Sequence, residues 1–139
     1  MRARAVRREG GHVAIEFALS IGLLLLPVVL LVAALPSWTE REHAATVAAR
    51  EAASAAVGAY PGDGRADALD AVEETLANYG IPASAVETTF VRDDIRRGGM
   101  VSVRVTIEMP AVVVPGIGTV GGFHWSAVQS RRVDDYRSS

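Results

Sequence analysis

A chain of 139 residues, with 13 glycines, 6 prolines and 22% charged residues, has room for one small folded domain and excludes a multidomain enzyme. Half of its residues are hydrophobic and the mean hydropathy is +0.23, which excludes a disordered chain and implies contact with lipid; the lack of cysteine excludes a disulfide framework, a thiolate metal site and a cysteine nucleophile. The formal net charge of −2 is uneven: Arg2, Arg4, Arg7 and Arg8 against Glu9 give residues 1–11 a charge of +3 and leave −5 elsewhere, so the folded part lacks the basic face that nucleic-acid binding needs.

Residues 1–11 read as a basic cytoplasmic leader, and the chain then runs without a charge from Phe17 to Leu35. At about 1.5 Å per residue those nineteen residues span roughly the 30 Å hydrocarbon core, which predicts a transmembrane helix over 12–36. Arginines ahead of such a helix hold the N-terminus inside by the positive-inside rule and place residues 37–139 outside the membrane. A cleaved secretory signal, with Val32 and Ala34 before the cut, competes with this reading, but the apolar stretch exceeds the roughly 7–15 residues usual for its hydrophobic region. Pro27 within the helix predicts a kink, and Pro36 predicts its end.

Glu16 opens the apolar run, in the segment Gly11-His12-Val13-Ala14-Ile15-Glu16-Phe17. An ionised carboxylate in lipid costs on the order of a few kcal/mol, so Glu16 belongs near the interface, neutralised by a proton, or beside a cation. For a lone glutamate at a helix end, snorkelling to the headgroups is the simplest reading. A basic leader, then glycine, four residues, Glu-Phe and a long apolar helix resembles the type IV prepilin pattern. The Glu-Phe version is most similar to the TadE/TadG-like pseudopilins, or minor pilins, of the Flp (tight adherence, Tad) pilus system. The likeness covers the leader and membrane helix closely and the outer domain loosely.

The resemblance implies that a prepilin peptidase cuts between Gly11 and His12, that His12 becomes the new N-terminus, and that Glu16 and Phe17 serve assembly. A freed ammonium at the top of an apolar helix is as costly in a dry bundle as the carboxylate, so one subunit's amine neutralises its neighbour's Glu16 and fixes the stagger between helices. The partners it implies are the peptidase, other pilin or pseudopilin subunits and the membrane. It brings no cofactor, no metal, no nucleic acid and no small-molecule substrate.

Beyond Pro36, Ser37-Trp38-Thr39-Glu40 reads as a capping box that opens a new helix running to about Ala59. Its Ala45, Ala48, Ala52, Ala55 and Ala59 recur at helical spacing, and two readings stand: a face for another subunit's helix, or a face packed on the chain's own sheet. Tyr60-Pro61-Gly62-Asp63-Gly64 breaks the helix, and Asp63 caps a second one over about 65–79, with Leu69, Val72, Leu76 and Tyr79 as its apolar stripe. Val101, Val103, Val105, Ile107 and Met109 then alternate with polar residues, which predicts a half-buried strand, with 86–91 as its hairpin partner, 125–131 as a third strand and Ala111–Val114 as a short edge piece. The outer part is therefore α+β, helices packed on a small antiparallel sheet of three to four strands.

Gly116-Ile117-Gly118-Thr119-Val120-Gly121 matches the dinucleotide fingerprint letter for letter, in the wrong context. That motif must open a helix so that the helix N-terminus faces the pyrophosphate, whereas here Pro115 precedes it and strand-like Phe123-His124-Trp125 follows, so a mobile surface loop is expected. His12, His43 and His124 stand at no metal-binding or catalytic spacing, and Asp93-Asp94 alone makes no cation site, so no enzyme is expected.

The reading is a membrane-anchored minor pilin or pseudopilin, possessing structural rather than chemical activity; the alternative is an uncleaved single-pass protein whose outer domain binds an envelope partner or ligand. Both require the same orientation. A cytoplasm-active reporter fused after Ser139 is expected to be silent and an export-active one bright, and the reverse pattern overturns the orientation.

Overall fold

The structure, a computed structural model, describes residues 10–134; the leader's Arg2, Arg4, Arg7, Arg8 and Glu9 lie outside the described residues. It is α+β, as the sequence predicts. A long helix α1 (Gly10–Gly58) is followed by α2 (Arg65–Asn78), a single 3-10 turn (Ala83–Ala85) and five strands: β1 (Val86–Asp93), β2 (Met100–Glu108), β3 (Val112–Val114), β4 (Gly118–Val120) and β5 (His124–Arg132). The order β1-β2-β5 makes one antiparallel sheet with β2 central, while β3 and β4 pair only with each other. Contacts divide the chain into two units: the part up to Leu35 with Val112–Val120, and Pro36–Ala111 with the chain from Gly121 onward.

Helix α1 does not end at Pro36, contrary to the sequence reading. An interior proline deletes one backbone donor and crowds the preceding turn, a penalty of about 3 kcal/mol. Here the residues after Pro36 are held from outside the helix. The Trp38 indole Nε1–H donates to the Pro110 carbonyl at 3.0 Å, an Arg41 Nη1–H donates to the Glu108 carbonyl at 2.9 Å, and the Thr39 hydroxyl turns back to the Pro36 carbonyl at 3.0 Å. Ser37 is consequently an interior helical residue and not an N-cap.

In the second unit the core joins α1, α2 and the sheet. Val101, Val103, Val105 and Ile107 of β2 are wholly buried, as the two-residue period predicts. They share one cluster with Ala44, Ala45, Ala48, Ala49, Ala52, Ala53 and Ala56 of α1 and with Ala68, Val72 and Leu76 of α2. The alanine face thus packs on the chain's own sheet and second helix, the second of the two readings. It is also rotated from the predicted line, since Ala55 and Ala59 are only half-buried. Small side chains on the helix meet β-branched ones on the sheet, so the bulk that fills the core comes from β2.

On the sheet's other face, cross-strand hydroxyl pairs bridge β2 and β5, Ser102 to Ser130 at 2.7 Å and Thr106 to Ser126 at 2.8 Å. Three further expectations change in detail. The N-cap of α2 is Gly64, at φ 66°, with no side-chain cap; Asp63 instead lies 3.8 Å from Arg65, whose guanidinium also pairs with Asp93 and stacks 4.7 Å from the Phe90 ring centre. Leu69 stays largely exposed while Ala68 takes a buried place. The 111–114 segment is not an edge of the main sheet but half of its own hairpin.

Packing at the alanine face sets a measurable limit on side-chain size. In the detergent-solubilised full chain, Ala48→Leu is expected to lower stability by about 1–3 kcal/mol through overpacking, read as a lower urea midpoint of tryptophan fluorescence. Arg50→Gln, on the exposed side of the same turn, should stay within about 0.5 kcal/mol of wild type. An unchanged midpoint for Ala48→Leu would show that the face is not a packed core.

Candidate processing and membrane-anchoring site

Gly11 lies in the first turn of α1, so the bond between Gly11 and His12 is helical. His12 and Glu16 are one turn apart and therefore share a helix face. Both are exposed, as is Phe17. Among the described residues nothing pairs with the Glu16 carboxylate; only its backbone carbonyl is engaged, by the Ser20 hydroxyl at 2.8 Å. The four residues thus lie in sequence order along one helix, and His12, Glu16 and Phe17 are left uncovered by the other described residues.

Every residue from His12 to Leu26 is exposed, on all sides of the helix, and the apolar ones include Val13, Ile15, Leu19, Leu23 and, at 74%, Leu24. A helical stretch that is apolar all round and left uncovered by the described residues is suited to lipid or to packing among other helices. This helix, near the N-terminus, is long and apolar enough to cross a membrane. From Pro27 onward one stripe is different: Pro27, Leu30 and Leu31 are half-buried and Ala34 is buried.

The element beside this part of α1 is the β3–β4 hairpin, grouped with it in the first unit. Its register pairs Val112 with Val120, Val113 with Thr119 and Val114 with Gly118, and the Ile117 N–H closes the turn onto the Val114 carbonyl at 3.1 Å. Pro115 followed by Gly116 at φ 81° occupies the two central positions of a type II turn, the second of which requires a positive φ. At the other end, a Cβ on Gly121 would stand 2.3 Å from the Pro110 carbonyl oxygen. The glycines of the apparent nucleotide motif therefore serve a tight turn and a close backbone approach, and the expected mobile loop is in part a strand.

Between the hairpin tip and the helix is an open cleft of about 450 Å³ lined by Leu23, Leu24, Pro27, Val28, Pro115, Gly116 and Ile117. No side chain there carries a hydrogen-bonding group. In the second unit, where the chain enters and leaves the hairpin, Trp38 packs edge-on to Phe123, ring centres 6.0 Å apart, while its indole holds Pro110.

The remaining grooves are small. One, between α2 and β1, is lined mainly by Leu69, Val72, Leu76 and Val86, and another by Glu87, Glu108 and His124 among others. Among the described residues no group of three or more His, Cys, Asp or Glu is placed to hold a metal ion. His43 meets the Tyr79 ring edge-on at 6.2 Å, a packing contact. Comparison with models of protein families, with curated proteins and with solved structures found no match.

Sequence reasoning missed the hairpin and the tryptophan that holds its base. The signal present was the absence of any Asp, Glu, Lys or Arg between Glu108 and Arg131, a second long uncharged stretch after that of α1.

Proposed function

We propose that this chain is a minor pilin or pseudopilin of a Tad/Flp-type pilus, anchored in the cytoplasmic membrane by α1, cut by a prepilin peptidase after Gly11 and incorporated by helix packing. The observation that carries the reading is Glu16: an exposed carboxylate, unpaired among the described residues, at the head of the uncharged stretch Phe17–Leu35 of α1. In lipid or a dry bundle such a group has to be neutralised by a proton or a cation, and the α-amine freed at a neighbour's His12 is of the right charge and stands at the right end of the helix.

Two further features support it. Gly10 and Gly11 are the weakest helix formers after proline, each less favourable than alanine by about 1 kcal/mol, so the bond to be cut sits where the helix opens most easily into an extended substrate. The continuation of α1 through Pro36 gives the long helix that the prepilin resemblance implies, its first half free for intermolecular contact and its second half in the core.

Two experiments test the reading at its two steps. With a cognate prepilin peptidase coexpressed, the wild-type chain is expected to lose residues 1–11, and Gly11→Trp to keep them because the larger side chain clashes in the confined site before the cut; intact mass reads both. Unchanged cleavage of Gly11→Trp overturns the site, and an uncut wild type favours an anchored envelope protein.

Glu16→Gln keeps shape and removes charge. Processing and membrane insertion are expected to survive, while co-isolation with other pilus subunits falls sharply, because a desolvated ammonium left without its counter-ion costs on the order of a few kcal/mol. Glu16→Asp should restore recovery in part, since it retains the charge and shortens the reach. Normal recovery of partners with Glu16→Gln would leave the residue as a headgroup-facing carboxylate without a role in assembly.

A further inference from the structure

Neither cleavage nor helix packing gives the β3–β4 hairpin anything to do. We propose that its tip, Pro115-Gly116-Ile117, inserts into the outer leaflet beside α1, so that the chain meets lipid hydrocarbon through two elements; this rests on the reading of α1 as a membrane span.

Chemistry and position both favour lipid as the occupant. The hairpin belongs to the same unit as the exposed apolar part of α1. Its tip stands opposite Leu23–Val28, in the middle of the uncharged run from Phe17 to Leu35 and short of its outer end. A tip at that level lies within hydrocarbon if the run does. From Met109 to Phe123 there is no charged side chain to resist insertion, and the flank residue Val113 and the tip residue Ile117 are exposed at 73% and 61%. An exposed apolar surface that continues directly from a membrane-spanning one meets the same solvent. The cleft between tip and helix, open and lined without a polar side chain, likewise accepts hydrocarbon and repels water.

The backbone sets how far insertion goes. Across the hairpin the strands pair with each other, and the turn is closed by the Ile117 N–H on the Val114 carbonyl. Their outer edges have no strand partner in the sheet order, and unpaired amides are costly in hydrocarbon. The tip therefore leads, while the far ends of the strands, Val112 and Val120, stay toward headgroups and water. The Pro-Gly turn suits that role, because proline removes one donor from the leading edge and its fixed φ presets the turn.

The absence of cysteine permits a direct measurement. Single substitutions Leu24→Cys, Ile117→Cys and Ser84→Cys in the full chain, each carrying a nitroxide, are reconstituted in phosphatidylethanolamine–phosphatidylglycerol vesicles. Collision with oxygen, which concentrates in lipid, is compared with collision with a water-soluble nickel chelate. Leu24 reports the helix and Ser84, exposed in the second unit, reports water. The expected result is an oxygen-to-nickel ratio at Ile117 that matches Leu24 in sign and exceeds Ser84 several-fold, at a shallower depth than Leu24. Lipid contact at Leu24 with a water-like ratio at Ile117 overturns the inference and leaves the anchor standing. Water-like ratios at both positions overturn the anchor, and the inference with it. Shielding of Ile117 from both reagents overturns the inference in favour of contact with another copy of the chain.

Discussion

Helix α1 has to satisfy two surroundings with one continuous backbone. From His12 to Leu26 the described residues supply no cover, so each position needs a side chain that tolerates whatever encloses it, and the sequence answers mostly with Leu, Val and Ile. Over its second half one face is sealed against the protein, and there the sequence changes to alanine inward and Arg, Glu and Ser outward. Pro36 lies at the change. It is tolerated because Trp38 and Arg41 each bond to a backbone carbonyl of the sheet or its exit, which holds the helix through the turn that lacks a donor. The rest of the second unit depends on the part of α1 beyond Pro36, because seven of its alanines are part of the core.

Strand β2 is the counterpart of the alanine face. A helix lined with methyl groups cannot fill a core by itself, and the missing volume is provided by four consecutive inward residues of the central strand, each with a branched side chain. The flanking strands are less committed. Along β5 the positions opposite those residues are Trp125, Ala127, Gln129 and Arg131, of which only Ala127 is buried, and Arg131 extends to the Ser54 hydroxyl of α1 at 3.1 Å. An edge strand with polar residues at two of its four inward positions, Gln129 and Arg131, closes that end of the sheet without a continuous apolar rim.

The candidate site is of the kind that sequence reading can reach. Gly11, His12, Glu16 and Phe17 follow one another along one helix, so their spacing in the chain is their spacing in space, and the fold adds only that His12, Glu16 and Phe17 are exposed and that Glu16 has no partner among the described residues. The hairpin is the opposite case. Its apolar residues carry no period long enough to be read as strands, and its turn imitates a nucleotide-binding motif because tight turns and phosphate cradles ask the same thing of glycine, a positive φ or a close backbone approach.

The sequence alone determined the elements whose signal is local. The apolar length of α1, the alternation of β2 and the helical stripe of α2 each follow from a pattern within one segment, and they appear where that pattern places them except that Ala68 replaces Leu69 in the α2 stripe. Tertiary structure decided what depends on residues far apart in the chain. It carried α1 through Pro36 by contacts at Pro110 and Glu108, turned the alanine face by a few residues to meet β2 and α2, replaced Asp63 by Gly64 at the start of α2, and separated β3 and β4 from the main sheet. Local preferences differ by about 1 kcal/mol per residue, whereas packing and long-range hydrogen bonds act on many residues together, so where the two conflict the assembled fold prevails.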